Sequence, residues 1–196
     1  MLTALCKSIS LFLYQNHIID EEEVEICQYG FEISFSTVIS FLVVISIAFL
    51  LRIPEIGLLY YTVFVVLRQF TGGYHADTYL SCNLTFGILS LLVLGIVKLI
   101  AIYPGLYLLE IHSVLIIFSF LVILFLAPVE NKNKSLDTAN KKKNHIFSII
   151  FSIVLSISSF ILYHHFLILT AMIGFTLFLV TMLILYSKTK ERSKKT

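Results

Sequence analysis

Between residues 68 and 82 the chain reads Arg68-Gln69-Phe70-Thr71-Gly72-Gly73-Tyr74-His75-Ala76-Asp77-Thr78-Tyr79-Leu80-Ser81-Cys82, a cation, a glycine pair, an imidazole, a carboxylate and a thiol in one short segment. His75 and Cys82 are the residue types of a base and its nucleophile: the imidazole takes the thiol proton and the thiolate attacks a carbonyl. Their spacing restricts how they can meet. On one straight helix a seven-residue separation gives about 10 Å of rise, nearly on one face but too far for a hydrogen bond. The pair therefore requires a helix that starts after His75, with the Gly72-Gly73-Tyr74-His75 loop folded back over its first turns. The glycine pair permits the positive backbone dihedrals that such a loop needs. Asp77 or Ser81 is expected to cap the helix, and a thiol in its first turns sits at the positive end of the helix dipole. A ring nitrogen of His75 is then expected near Cys82 Sγ.

Other chemistries fit the same residues less well. His75, Asp77 and Cys82 supply three mixed metal donors, but no CxxC or HExxH spacing accompanies them, so neither a metal nor a cofactor is expected. Arg68 is either a snorkelling anchor at a membrane boundary or a side chain that returns to the site to bind a carboxylate or an oxyanion. Cys6 and Cys27 stand apart from any base and read as small hydrophobes. His164 and His165 suit an interfacial turn, and His17, His112 and His145 read as boundary or loop residues.

The elements around this segment are apolar. Of 196 residues 58% are hydrophobic and 13% charged, with mean hydropathy +0.95, far from the roughly quarter-charged composition of a soluble domain. A net charge of +2 and three cysteines argue against a nucleic-acid binder and a disulfide-stapled secreted module. Residues 1–14 carry one lysine and no small-residue cleavage site, so no cleaved leader is expected. Five long runs suit membrane spans: 33–51, 84–102, 106–126, 146–162 and 166–186. A sixth, 54–67, is short and either tilts across or dips in and returns.

Charge orients them. Lys132, Lys134, Lys141, Lys142 and Lys143 form one basic cluster and residues 188–195 another, and both are expected on the cytoplasmic side. If 54–67 spans, all 14 Lys and Arg except Arg52 and Lys98 fall inside. A re-entrant 54–67 moves only Lys7 across. The expected fold is thus an all-α polytopic bundle of six transmembrane helices with both termini cytoplasmic. It comprises an amphipathic segment over 1–30, a bundle over 31–187 carrying the cytoplasmic loop 68–82, and a basic tail over 188–196. In the first segment Leu2, Leu5, Ile9, Phe12 and Ile19 fall near one helical face, as in a helix lying along the inner membrane surface or packed on the bundle.

With these residues in place the chain resembles the accessory gene regulator protein B family, membrane endopeptidases that process quorum-sensing pro-peptides in Gram-positive bacteria. The resemblance rests on Arg68, Gly72-Gly73-Tyr74-His75-Ala76 and Cys82, on Ala127-Pro128-Val129-Glu130-Asn131-Lys132 closing the fourth span, and on the length and span pattern. It implies that Cys82 is the nucleophile and His75 the general base, later the acid for the leaving amine. The implied substrate is a pro-peptide with an amphipathic leader, a signal segment containing Cys or Ser, and an acidic tail. Attack by Cys82 releases the tail and leaves an acyl-enzyme thioester, which the substrate's own thiol or hydroxyl closes into a thiolactone or lactone. Exchange between thioesters is near thermoneutral, so the site must hold the intermediate away from water. Arg68, Gly72 and Gly73 are expected to bind substrate or its oxyanion. Lys132 and Lys134 belong to a cationic face that attracts the acidic tail, or reflect the inside charge bias alone. The resemblance also implies a homodimer in the lipid bilayer. A small peptide transporter predicts polar groups near the midplane of the spans, and a non-catalytic scaffold predicts tolerance of Cys82→Ser.

Overall fold

A computed structural model describes residues 2–73, 78–129 and 138–193. Among them the chain forms seven α-helices and no strand beyond an isolated two-residue bridge: α1 (Leu2–Gln15), α2 (Val24–Leu50), α3 (Pro54–Thr71), α4 (Tyr79–Ile102), α5 (Leu109–Leu126), α6 (Thr138–Leu162) and α7 (Leu167–Ser193). Short 3-10 turns cover Glu21–Glu23 and Pro104–Leu106. The chain divides into two compact units, Met1–Val43 and Val44–Thr196, with the boundary inside α2.

In the first unit α1 ends in a six-to-one hydrogen bond, Ile18 N–H to the Leu13 carbonyl, with His17 in the left-handed region (φ 56°). Ile19 therefore lies outside the helix and does not extend its apolar face. Leu5 and Phe12 are exposed, Leu2 and Ile9 half-buried, and Cys6 and Ser10 buried, so the packed side of α1 takes in only part of its apolar face. The acidic residues after α1 have a local role. Asp20 N–H donates to the Glu23 carboxylate (3.1 Å) in a capping box, and Glu21, Glu22, Glu23 and Glu25 occupy the positive end of the helix they precede.

In the second unit α2 closes with the same device. Ile53 N–H donates to the Ala48 carbonyl and Arg52 N–H to that of Phe49, with Arg52 left-handed (φ 58°). Pro54 then opens α3, where its missing N–H leaves no bond unmade. This tight turn lays the start of α3 against the end of α2, and a β-carbon on Gly57 would overlap that of Ala48. Gly57→Leu is expected to force the backbones apart and lower stability by about 1–3 kcal/mol, read as a fall in unfolding temperature in detergent. An unchanged midpoint would mean that the helices do not meet there.

The core of this unit gathers on α7, which packs against α3, α4, α5 and α6. Among the described residues five helical stretches are long and apolar enough to cross a membrane: Glu21–Leu50, Tyr79–Ile102, Leu109–Leu126, Ala139–Leu162 and Leu167–Lys190. Helix α3 is not among them. It spans 18 residues, longer than the expected run 54–67, and buries Tyr60, Phe64 and Leu67. Its aromatic face meets α4, with Tyr60 and Phe64 packed on Phe86 and the Tyr60 hydroxyl 3.1 Å from that of Ser90. The remaining spans expose Leu91, Leu92, Ile117, Phe125, Ile157 and Ile161, among others, as an outer surface suited to lipid. Several helices outrun their apolar cores: α2 begins at Val24 rather than 33, α6 at Thr138 rather than 146, and α7 continues to Ser193. At the other extreme α5 begins at Leu109, because Pro104–Leu106 forms the 3-10 turn that reverses the chain.

One end of the second unit holds a buried polar cluster that changes the reading of His112. It is a fully buried residue of α5, not a boundary residue. Its Nδ1 is 2.8 Å from the Tyr107 hydroxyl and its Nε2 3.1 Å from the Ser159 hydroxyl. Ser159 donates its own proton to the Ser156 carbonyl (2.8 Å), so it accepts from His112 Nε2–H and leaves Nδ1 to accept from Tyr107. The Tyr163 hydroxyl donates to the Tyr107 carbonyl (2.8 Å), tying the 103–108 turn to the end of α6.

Candidate active site

The opposite end of that unit carries the chemistry-bearing segment. The C-terminus of α3, the N-termini of α4 and α6, and the C-terminal end of α5 all lie there by the order of the helices. Helix α4 starts at Tyr79, after His75, as the spacing requires. Its cap is Thr78 rather than Asp77 or Ser81: the Thr78 hydroxyl accepts from Ser81 N–H (3.2 Å), and the Thr78 carbonyl accepts from Cys82 N–H (3.0 Å). Cys82 thus sits in the first turn of the helix, where the dipole is positive. It is half-buried and unpaired by any disulfide, within reach of a substrate yet partly shielded from water.

Helix α3 ends at Thr71 and its cap is Gly72, whose N–H donates to the Arg68 carbonyl (3.1 Å). Gly72 has φ 66° and ψ −148°, and Gly73 has φ 118°, conformations that side chains with a β-carbon rarely adopt. The glycine pair thus performs the loop-forming role expected of it. The Arg68 guanidinium turns back under the loop and donates through Nη1 to the Gly72 carbonyl (2.7 Å). It also interacts electrostatically with Cys82, which joins two residues of the segment across the loop. His75 and Asp77 lie outside the described residues, as do Lys132 and Lys134.

The loop has a partner strand that no sequence pattern announces. After α5, the Val129 N–H donates to the Thr71 carbonyl (2.9 Å), and Val129 forms a parallel bridge with Gly72. The contact is so close that a β-carbon on Gly72 would overlap the Val129 carbonyl oxygen. Ala127 and Val129 are buried, and the Ala127 carbonyl accepts from His145 Nδ1–H of α6 (2.7 Å). His145 is thus a half-buried helical residue, not a loop residue. Phe70 stacks on Phe147 at 5.3 Å, fixing the last turn of α3 to an early turn of α6.

Charge and thiol chemistry differ between the ends of the chain. Lys141, Lys142 and Lys143 are exposed on the first turns of α6, and Lys188 and Lys190 lie in the last turns of α7. Both groups belong to the end of the helices that holds Cys82. Cys6, by contrast, is buried in the first unit, where burial and then the Glu32 carboxylate push its thiol above its ordinary pKa and disfavour the nucleophilic form. Among the described residues no three His, Cys, Asp or Glu side chains gather as metal ligands.

The family model described as Accessory gene regulator B matches residues 6–185. A protein of Clostridium perfringens (strain SM101 / Type A) named as AgrB-like is 30% identical over 146 residues, 73% of this chain and 68% of its own length. A second protein, of Clostridium perfringens (strain 13 / Type A) and likewise named as AgrB-like, is 28% identical over 127 residues, 63% of this chain and 59% of its own length. No solved structure matches the chain.

Proposed function

The chain belongs to the accessory gene regulator B family, and from that premise we propose that it is a membrane cysteine endopeptidase. It removes the acidic tail of a quorum-sensing pro-peptide and closes the remainder into a thiolactone or lactone. The observation that carries this reading is the placement of Cys82: a half-buried thiol in the first turn of α4, within the electrostatic influence of the guanidinium that braces the Gly72–Gly73 loop. The loop leads directly into His75, which takes the thiol proton and later returns it to the leaving amine.

Each step needs something the site supplies. Cys82 Sγ attacks the carbonyl between the signal segment and the tail, and the tetrahedral oxyanion is met by N–H donors from the backbone around Gly73 and from Arg68, whose guanidinium carries five. Collapse expels the tail amine with the proton from His75 and leaves a thioester on Cys82. The substrate's own thiol or hydroxyl then displaces Cys82, and partial burial favours this nucleophile over water. Lys132 and Lys134, with Lys141, Lys142 and Lys143, draw the acidic tail to this face by long-range attraction. In this reading α3 spans with the other five helices, both termini and the 68–82 loop face the cytoplasm, and two copies associate in the bilayer.

The test is the covalent intermediate. The protein in liposomes is mixed with a synthetic peptide carrying a Cys-to-Ala signal segment and an acidic tail, quenched in acid and digested for mass spectrometry. The expected result is free tail together with a signal-segment adduct on the Cys82 peptide that neutral hydroxylamine removes. Tail release with an adduct elsewhere, or with no adduct on Cys82 at any quench time, would refute the thioester route.

A further inference from the structure

His145 takes no part in the proposed reaction, yet it makes one of the shortest side-chain hydrogen bonds at this end of the molecule. Its acceptor, the Ala127 carbonyl, belongs to the residue that ends α5: Ala127 N–H still donates to Ile123, while the backbone has already turned extended (φ −82°, ψ 154°). A carbonyl in the last turn of a helix has no partner within the helix, and here a side chain from α6 supplies one. The carbonyl can only accept, so Nδ1 carries the proton.

The residues beyond Ala127 make the bond consequential. Val129 pairs with Thr71 and Gly72; Gly72 offers its carbonyl to Arg68; and Arg68 interacts with Cys82. A single line of hydrogen bonds therefore runs from α6 through the end of α5 to the end of α3 and the Arg68 guanidinium, whose charge acts on the thiol of α4. The stacking of Phe70 on Phe147, two residues after His145, holds α3 and α6 at fixed separation, so a shift of the anchor cannot be absorbed by sliding α6 along α3.

We propose that His145 is a positioning residue: by holding the Ala127 carbonyl it fixes Val129 as the strand against which the Gly72–Gly73 loop and Arg68 are set relative to Cys82. The role rests on the peptidase reading for its consequence in turnover, but the anchor itself can be measured without it. Asparagine presents its Nδ2–H close to where histidine presents Nδ1–H, whereas phenylalanine keeps the ring and loses the donor.

The experiment compares His145→Phe and His145→Asn in the full chain in liposomes by three readouts. These are hydrogen exchange at the Val129 amide, iodoacetamide alkylation of Cys82 resolved by mass spectrometry, and kcat and KM for tail release from the synthetic peptide. In His145→Phe, exchange at Val129 is expected to rise about fivefold, as for loss of one neutral hydrogen bond, and the rate of Cys82 alkylation to change about threefold as the loop carrying Arg68 shifts. The kcat should fall about tenfold with KM within a factor of about two, the pattern of a misplaced rather than an unbound reactant. His145→Asn should return all three to near wild type. Unchanged alkylation and kcat in His145→Phe, or an asparagine variant no better than phenylalanine, would overturn the proposal. Wild-type protein that releases no tail, while the exchange and alkylation shifts persist, would instead overturn the peptidase reading and leave the anchor standing.

Discussion

Alanine in place of Cys82 is expected to lower tail release on the order of 10³-fold or more, with the protein still inserted and accumulated at wild-type level. In the proposed reaction the thiol carries the covalent step, and a methyl group offers no substitute. Cys82 is only half-buried, so truncation to alanine removes little packing and stability should be little changed. Serine separates nucleophile from scaffold: a hydroxyl fits the same space but is far less ionised beside an imidazole, so Cys82→Ser should be nearly as inactive as alanine. A scaffold would tolerate it. His75→Ala is expected to cost on the order of 10²–10⁴-fold by removing the base. Initial rates of tail release, normalised to protein in the membrane, decide the matter, and a Cys82→Ala protein that still cleaves would end the thiolate mechanism.

Gly72→Ala is expected to be the most damaging substitution outside the reacting groups. Two penalties coincide at that position. The backbone lies where a β-carbon is strained, about 1–3 kcal/mol for an ordinary residue. The added carbon would also overlap the Val129 carbonyl oxygen, and a backbone held by its own hydrogen bond to Thr71 cannot swing aside as a side chain can. The bridge must open, releasing the Gly72 carbonyl from Arg68, and kcat should fall about 100-fold, as expected for an ångström-scale misplacement of catalytic groups. Gly73→Ala provides the contrast. Gly73 shares the backbone penalty (φ 118°), but its β-carbon would meet the tip of the Arg68 guanidinium, a side-chain end that can move, rather than Val129, so the bridge itself should survive. Exchange at the Val129 amide should therefore accelerate in the Gly72 variant and not in the Gly73 variant; equal behaviour of the two would show that the bridge does not hold the loop.

The parts of this molecule that are readable in its sequence are those with local causes. The distance between His75 and Cys82 demands a helix start between them, and α4 begins at Tyr79. The cap falls one residue beyond Asp77, because Thr, Asp and Ser are all competent and the sequence holds one of each nearby. Read as charge alone, the acidic residues between 20 and 25 speak only against anionic lipid, whereas Asp20 and Glu23 stand at capping-box spacing and start a helix. Apolarity is a poor marker of helix ends: a hydrophobic run measures the part of a helix facing lipid, while lysine-rich sequence such as 141–143 propagates a helix well. Long-range pairings leave no signal at all. Nothing near Val129 announces Gly72, some 57 positions away, and nothing near His112 announces Ser159. These are set by which helices pack together, a property of the whole bundle.

Helix α7 is the most interior of the candidate spans, with 61% of its apolar window buried against 11% to 33% for the others. It packs on α3, α4, α5 and α6, and its Leu183 carbonyl lies 3.6 Å from where a β-carbon of Gly73 would stand. It is also the last of the described helices to leave the ribosome. During synthesis, then, the thiol of α4 reaches the bilayer long before the helix that backs its loop, and the neighbours of α7 wait for the partner they share. A growing chain carries Cys82 without the α7 backbone behind Gly73, so the backing of the Gly72–Gly73 loop is in place only once α7 has joined α3, α4, α5 and α6.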